Sequence, residues 1–206
     1  MCGRYAIACE EENIFLKEIL EEINRRYAGQ PKLEQMKTGE IFPTETVPIL
    51  ALEKGKVTPV LMKWGFPRPD NVPGGVVINA RAETVLQKTM FRNAAQSRRC
   101  VVPSTGFYEW PHQEVSKRKD KYLLRTPGEP MLYMAGLYGL FPRGGVMSPN
   151  FVIITTQANG CVSPIHDRMP LILDRERSEA WIRDNKFAID ILSLPCPAEL
   201  YLSQVV

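Results

Sequence analysis

The sequence predicts an α+β fold in which mainly antiparallel strands form a curled, barrel-like core with helices packed outside it. Short β-branched and aromatic segments follow one another through the second half of the chain, separated by Gly, Pro or charged turns. These segments do not alternate regularly with helices, which argues against a doubly wound parallel sheet. With 206 residues, no internal repeat and no linker, the chain is expected to form a single domain over residues 1–206.

Three segments carry helical signals. Apolar residues recur at helical spacing across residues 10–28, and the GQP sequence that follows predicts the end of this helix. Thr84 is predicted to cap a second helix that runs to about Ser97. The segment SEAWIRDN predicts a last short helix near the C-terminal end.

The strand signals begin with VPILALEKGKVTPVLMKWGF, which is typical of a hairpin turning at Lys54-Gly55. A loop rich in Pro and Gly then separates this hairpin from a short strand in VVINAR. Four further segments are predicted strands: CVVPSTGFYEW, KYLLRT, MLYMAGLYGL and FVIITT.

Composition narrows the classes of function. The net charge of +3 allows a local basic patch without demanding one. The five cysteines are irregularly spaced and the two histidines are remote from them in sequence, so we expect neither a disulfide framework nor a metal site. The chain has no signal-peptide pattern and no apolar run of bilayer length. We therefore expect a cytoplasmic protein with no membrane partner.

The common phosphate-binding and serine-hydrolase motifs are absent from the sequence. Neither G-x-x-x-x-G-K-[ST] nor G-x-G-x-x-G occurs, which argues against nucleotide hydrolysis and dinucleotide binding. G-x-S-x-G is also missing, so a nucleophile elbow has no support. We expect no cofactor.

The chain opens with MCGRY, and removal of Met1 makes Cys2 the N-terminal residue. Cysteine is small enough for a methionine aminopeptidase to accept at this position. Residue 2 then carries a thiol and an α-amine on adjacent carbons. Their ordinary pKa values, about 8.5 and about 7.7–8.0, leave both groups partly deprotonated near neutrality. Two nucleophiles are thus placed at one residue.

Two further residues are candidates for proton transfer. Glu109 lies in GFYEW, where flanking aromatic side chains favour loss of hydration, a raised pKa and general acid–base catalysis. The alternative is that Glu109 alternates outward on a strand. His166 lies in SPIHDRMPLIL and has a side chain that titrates near working pH, although a structural role is the alternative.

Asn79 and Arg81 alternate in INARAET and lie on one side of a strand if it continues through them. Arg4 is likewise two residues from Cys2. Arginines grouped around a nucleophile indicate an anionic substrate, because guanidinium matches phosphate or carboxylate bidentately. Solvated arginines on a strand edge are the alternative.

Four segments in this order, MCGRY, INARAET, GFYEW and IHDRMPLIL, resemble the SRAP family, the SOS response-associated peptidase-like proteins that process abasic sites in DNA. The resemblance extends from Cys2 to about Leu173. It implies that the exposed Cys2 reacts with the ring-opened aldehyde of an abasic site in single-stranded DNA. The amine forms a Schiff base, and the thiol then closes a thiazolidine ring, a step that good orientation accelerates strongly.

The resemblance also implies roles for the other residues. Cys2 is the nucleophile and Glu109 the acid–base residue. His166 assists opening of the sugar and reversal of the crosslink, and Asn79 holds the reacting end. The DNA-binding residues it implies are Arg4, Arg81, Arg168 and Pro43. A peptidase activity that removes Met1 through the same cysteine is implied as well, in a protein that acts as a monomer near the nucleoid.

Two departures from the family pattern affect DNA binding. Of the family's N-x-A-P-like segment only Pro43 is matched, in EIFPTE. Where some bacterial members have paired tryptophans, this chain has Trp64-Gly65-Phe66, so we expect Phe66 to stack on a base or stacking to be weaker.

Two other functions stay open at this stage. An N-terminal-nucleophile amidohydrolase, similar to the glutamine amidotransferases, also begins with a processed MCG, although glutamine-binding signatures are missing. A non-covalent single-stranded DNA-binding module is the other alternative.

Overall fold

The computed structural model describes residues 2–8, 13–68, 75–111 and 120–205. The helices in these ranges are α1 Ile14–Arg26, α2 Pro31–Glu34, α3 Thr89–Ser97, α4 Arg175–Arg183 and α5 Asn185–Ile191. The strands are β1 Tyr5–Ile7, β2 Gly39–Ile41, β3 Thr46–Glu53, β4 Lys56–Trp64, β5 Phe66–Pro67, β6 Val76–Val77, β7 Asn79–Arg81, β8 Arg99–Ser104, β9 Gly106–Glu109, β10 Lys121–Arg125, β11 Leu132–Arg143, β12 Val146–Gln157, β13 Arg168–Pro170, β14 Ile172–Leu173 and β15 Tyr201–Val205.

Five strands close into a barrel. Strand β12 pairs with β4, β4 with β3, β3 with β8, β8 with β11, and β11 returns to β12. Every pairing in this ring is antiparallel except the one between β12 and β4. Closure leaves no edge in the ring and encloses a core that includes Ile49, Met134 and Val152. The predicted α+β class with a barrel-like antiparallel core is confirmed.

Two short segments extend the barrel on either side of β12. Strand β7 runs parallel to β12, with Asn79 opposite Ile153. Strand β13 runs antiparallel to the end of β12, with Arg168 opposite Gln157. The segment that continues through Leu171 lies between β12 and β11. Because β7 and β13 pair with adjoining stretches of β12 that share Thr155, the residues next to them meet at one end of the barrel.

A second, five-stranded sheet packs beside the barrel in the order β15-β10-β9-β1-β2. All its pairings are antiparallel. Its inner face contributes the fully buried Tyr5, Phe107 and Leu124 to the core. The ring of Tyr5 contacts the barrel residue Trp64 edge-on, with centroids 5.1 Å apart. The N-terminal strand is thereby fixed against the barrel.

The predicted hairpin is confirmed: β3 and β4 pair from Thr46 to Lys63. Its turn has positive φ at both Lys54 and Gly55, 48° and 81°, which is the twist that a two-residue hairpin loop prefers. Helix α1 is also present and begins after Asn13, whose side chain accepts a hydrogen bond from the Leu16 N–H. Residues 10–12 of the predicted helix lie outside the described residues.

The predicted cap at Thr84 is wrong. Helix α3 begins at Thr89 after Lys88, because Thr84 starts a turn in which its carbonyl accepts the N–H groups of Gln87 and Lys88. The last predicted helix is present but is longer, and a second helix follows it. Asp174 caps α4, and Asp184 ends α4 and caps α5.

The single-domain organisation over residues 1–206 stays a prediction. Among the described helices, none combines the length and the apolar composition needed to cross a bilayer.

Candidate active site

Cys2 lies directly before β1, beside the end of β9. The Tyr108 N–H donates to the Arg4 carbonyl at 2.9 Å, so the pairing of β1 with β9 continues past Tyr5 toward the N-terminus. This register carries Cys2 to the part of β9 that ends in Glu109. The side chain of Cys2 is fully buried, and its Sγ lies 3.8 Å from the Arg4 carbonyl.

Asn79 holds the backbone of Cys2. Its Nδ2 donates to the Cys2 carbonyl at 2.9 Å, across the gap between the barrel and the second sheet. The Oδ1 of Asn79 is buried and has no hydrogen-bond partner among the described residues. The amide therefore positions the backbone of Cys2.

Glu109 and His166 form an enclosed pair. The Oε2 of Glu109 lies 4.0 Å from the Nε2 of His166, and the two side chains are 3% and 7% exposed. Burial raises the pKa of Glu109 to about 7. Burial also raises the pKa of the Cys2 thiol, and the nearby Glu109 charge raises it further. The cysteine is therefore a protonated thiol beside a carboxyl group that can lose or gain a proton near neutrality.

The Nδ1 of His166 contacts the backbone N–H of Arg168 and the carboxylate of Asp167. The Arg168 N–H donates to Nδ1 at 2.9 Å, which requires a lone pair on that nitrogen and leaves the proton of a neutral ring on Nε2, toward Glu109. The Oδ1 of Asp167 also lies 2.9 Å from Nδ1, a contact that is favourable only when Nδ1 carries a proton. The two contacts thus match different protonation states of His166.

The loop before His166 is fixed by its own hydrogen bonds. The His166 N–H donates to the Val162 carbonyl at 3.0 Å, and the Ala158 N–H donates to the Asp167 carbonyl at 3.0 Å. Asn159 anchors the loop to the C-terminal segment through bonds from Nδ2 to the carbonyls of Cys196 and Ala198. The histidine is thereby held in place opposite Glu109.

These four side chains place a thiol, a carboxyl group, an imidazole and an amide in one enclosed region. Cys2 supplies the sulfur and Asn79 fixes its backbone. Glu109, with its pKa near 7, has the acidity suited to accepting a proton from a neighbouring thiol or returning it, and His166 faces its carboxyl group at 4.0 Å. All four had been predicted from the sequence, and the structure brings them together.

Arg4 lies next to this cluster on the outer face of the second sheet. Its guanidinium carbon lies 4.2 Å from the centroid of the Phe42 ring and 5.1 Å from that of Trp110. Its Nη1 donates to Glu40 at 3.0 Å, and Lys121 donates to the same carboxylate at 2.7 Å. Although partial burial opposes it, hydrogen bonds from Lys121 and Arg4 lower the pKa of Glu40.

The other predicted DNA-binding residues occupy different settings. Arg81 is exposed on β7, and Pro43 is half-buried in the turn after β2. Arg168 is almost fully buried, with Nη2 bonded to Glu83 at 3.0 Å and to the Thr155 carbonyl at 2.7 Å. Its guanidinium therefore already has internal partners. The phosphate contacts of these residues stay predictions.

The suggestion that Phe66 stacks on a base is wrong. Phe66 is 1% exposed and its ring is packed against those of Phe91 and Phe141. The aromatic side chain that the structure exposes near Arg4 is Phe42, at 40%.

Sequence reasoning missed three acidic residues whose side chains contact the predicted site residues. Asp167 contacts the imidazole of His166, Glu40 binds Arg4, and Glu83 binds Arg168. The only signal for Asp167 was its place directly after His166; the partners of Arg4 and Arg168 come from remote strands and turns. Over the described residues, no group of three His, Cys, Asp or Glu side chains is arranged to hold a metal ion.

Comparison with known proteins identifies the family. The profile of the family described as SOS response associated peptidase (SRAP) matches residues 1–205. The abasic site processing protein YedK of Escherichia coli is 30% identical over 95% of this chain and 87% of its own length. The abasic site processing protein YoaM of Bacillus subtilis is 29% identical over 93% of this chain and 83% of its own length.

A solved structure shows the same fold. The crystal structure of a protein from Bacteroides thetaiotaomicron matches with a TM-score of 0.74 and 24% identity, covering 98% of this chain and 91% of the other. With the profile match over nearly every residue, the chain belongs to the SOS response associated peptidase (SRAP) family.

Proposed function

We propose that this protein processes abasic sites in single-stranded DNA by forming a covalent thiazolidine link through Cys2 after loss of Met1. The observation that carries the proposal is the enclosed group of Cys2, Glu109 and His166, in which Glu109 has a pKa of about 7. The names of the relatives YedK and YoaM, abasic site processing proteins, support the same substrate.

The first bond forms between the α-amine of Cys2 and C1′ of the ring-opened sugar. The amine nitrogen adds to the aldehyde carbon, and loss of one water molecule leaves a Schiff base. Protonation of the departing hydroxyl requires an acid, which protonated Glu109 or His166 supplies. Asn79 keeps the amine in position by holding the Cys2 carbonyl.

The second bond forms between Sγ and the same carbon. Because burial keeps the thiol protonated by raising its pKa, ring closure needs a base at the moment the sulfur adds. The Glu109 carboxylate accepts the thiol proton, and the imine nitrogen gains a proton as the thiazolidine closes. Reversal uses the same steps backward, with a proton returned to sulfur.

Removal of Met1 is part of the proposal. We infer that the Cys2 thiol attacks the Met1 carbonyl, so that the acyl group moves from nitrogen to sulfur and water then hydrolyses the thioester. The products are free methionine and a Cys2 residue that carries both its amine and its thiol. The crosslinking step is lyase-type chemistry on DNA, and the site of action is the nucleoid.

The DNA strand reaches Cys2 along surface residues that lie near this cysteine. Arg4 and Arg81 are the proposed phosphate contacts, and Pro43 borders the entry. Arg168 contacts a phosphate only if it gives up part of its bonding to Glu83 and Thr155.

The test is incubation with an oligonucleotide that contains one abasic site, resolved on a denaturing gel. Wild-type protein is expected to give a slow-migrating adduct, and Cys2→Ala none. Cys161→Ala, in a half-buried cysteine outside the site, is the matched control and should give the wild-type yield. Cys2→Ser, with Met1 removed by a methionine aminopeptidase, keeps the amine without the thiol, so its adduct should appear only after borohydride reduction traps the Schiff base. A stable adduct from Cys2→Ala overturns the proposal.

A further inference from the structure

The outer face of the five-stranded sheet is lined by aromatic and basic side chains that the proposed chemistry does not use. Side chains alternate across a strand, and the buried residues Tyr5, Phe107 and Leu124 define the inner face. Their neighbours therefore point outward. In register across the sheet, Arg4 lies beside Tyr108, and Tyr108 lies opposite Leu123.

Besides Leu123 and Glu40, the outward residues include a set of aromatic side chains and a set of basic ones. The aromatic ones are Phe42, Tyr108, Trp110 and Tyr201, and the basic ones are Arg4, Lys121 and Arg125. Phe42 and Tyr201, on strands or turns at opposite sides of the sheet, are 40% and 43% exposed.

Two of these three cations, Arg4 and Lys121, lie over aromatic rings. Lys121 Nζ lies 4.0 Å from the centroid of the Tyr108 ring. The Arg4 guanidinium lies over Phe42 and also contacts Trp110. These contacts hold the charged groups in fixed positions on the face rather than leaving them free in solvent.

Gly106 lies at the centre of the face, below two side chains of β10. A Cβ added there would lie 2.8 Å from Leu123 Cδ1 and 3.1 Å from Arg125 Cγ. The side chains of Leu123 and Arg125 therefore lie close over this glycine, and Leu123 is only 9% exposed. Access for a ligand is greater at the edge strand β15, where Tyr201 is 43% exposed.

The charge of the face is positive. Glu40 is the acidic member of the network, and it stays ionised because hydrogen bonds from Lys121 and Arg4 lower its pKa. Among the described residues of this face, one carboxylate against three cations leaves an excess of positive charge, suited to phosphates. The aromatic rings between the cations suit unstacked bases.

We propose that this outer face binds the single-stranded DNA that flanks the abasic nucleotide, with phosphates on Lys121 and Arg125 and a base against the exposed ring of Tyr201. The inference rests on the proposed function and adds a second region of contact beyond Cys2. Five strands at a spacing of about 4.8 Å give a face about 19 Å wide, enough for several nucleotides. Arg4 joins this face to the active site.

The test measures binding of undamaged thymidine oligonucleotides, a trinucleotide and one of about fifteen nucleotides, by fluorescence anisotropy. Wild-type protein should bind the longer strand more tightly. The double variant Lys121→Gln/Arg125→Gln should lose most of this difference, and the slope of log affinity against log salt should become shallower by about 1.4, from about 0.7 per contact.

Tyr201→Ala tests stacking at an exposed ring and should weaken binding of the longer strand by about fivefold or more. Lys186→Gln, an exposed lysine on α5, is the matched control and should bind as wild type. Circular dichroism and thermal melting of each variant confirm that the fold is retained.

Equal affinity of wild type and double variant for the longer strand overturns the inference. So does a concentration-dependent dimer in sedimentation that the double variant loses, because the face would then serve self-association. Crosslinking of an abasic trinucleotide is measured in parallel with wild-type protein. If the trinucleotide crosslinks but affinity does not depend on strand length, the proposed function stands and only DNA binding by the outer face is rejected. If the trinucleotide fails to crosslink, the result counts against the proposed function alone.

Discussion

The Oε2 of Glu109 lies 4.0 Å from the Nε2 of His166, inside a site where both side chains are almost completely enclosed. The backbone N–H of Arg168 donates to Nδ1, the other imidazole nitrogen. The proton of a neutral ring is therefore on Nε2, facing the carboxylate. A carboxyl group with a pKa of about 7 and an imidazole thus face each other in the enclosed region that also holds Cys2.

Glu109→Gln is expected to slow crosslinking while leaving DNA binding intact, because the amide keeps the shape of the side chain but cannot take the thiol proton. Positioned acids and bases typically contribute about 10²–10⁴-fold, so the loss should be plain in a time course of adduct formation. Anisotropy with undamaged DNA is the control for binding. An unchanged rate would assign Glu109 a purely structural role.

The same substitution should stabilise the folded protein at alkaline pH. Burial raises the pKa of Glu109 from 4.5 to about 7, so between these values the folded state binds more protons than the unfolded state. The free energy of unfolding then falls by about 3 kcal/mol at most as pH rises through this window. Above the window it no longer changes with the charge of Glu109. Glu109→Gln removes this pH-dependent loss of stability, because the amide does not ionise.

The measurement is the melting temperature of both proteins at pH 5 and pH 8. We expect the melting temperature of the variant, relative to that of the wild type, to be higher at pH 8 than at pH 5. A simple loss of packing would instead lower the melting temperature of the variant at both pH values. A difference between the two proteins that does not change with pH would contradict the raised pKa.

His166→Ala is expected to impair reversal of the crosslink. Opening the thiazolidine requires a proton on sulfur, and the imidazole is the group that can resupply Glu109. The measurement transfers preformed adduct into an excess of unlabelled abasic oligonucleotide and follows release over hours. Wild-type protein should release and the variant should retain its DNA, whereas equal release from both would count against this role. The same time course with Cys161→Ala controls for handling.

Arg168→Gln separates a structural role from a phosphate contact. The guanidinium binds Glu83 and the Thr155 carbonyl next to the His166 loop, so its loss should cost about 2 kcal/mol of stability. For a domain of this size that lowers the melting temperature by roughly 4–8 °C. Glu83→Gln should lower it in the same direction.

The salt dependence of DNA binding supplies the second readout for Arg168. A phosphate contact predicts a slope shallower by about 0.7 in Arg168→Gln but not in Glu83→Gln. Identical slopes in the two variants would remove Arg168 from the DNA path.

Local sequence patterns predicted the elements whose signals are local. The β3–β4 hairpin follows from alternating apolar residues about Lys54-Gly55, and α1 from helical spacing. The start of α3 was misplaced because a turn competes for the backbone groups after Thr84. Phe66 was misjudged because its burial against Phe91 and Phe141 depends on how distant segments pack.

The candidate site residues were predicted from motifs in order, whereas their partners could be identified only from the fold. Asn79 meets Cys2 because β7 pairs with β12 and β1 with β9, pairings that join parts of the chain far apart. The contact of Asp167 with His166 depends on a side-chain orientation that no sequence pattern fixes. The Glu40 network likewise arises where β2, β1 and β10 lie in one sheet.

The most direct test of the central claim is the intact mass of the adduct formed with an abasic oligonucleotide, compared between a chain that has lost Met1 and one with an uncleavable extension before Cys2. In the extended chain the Cys2 nitrogen is an amide, whose delocalised lone pair cannot form an imine. We predict a denaturation-resistant adduct only from the trimmed chain, with a mass equal to protein plus DNA less one water. A stable adduct from the extended chain, or an adduct that has lost no water, would contradict the thiazolidine mechanism.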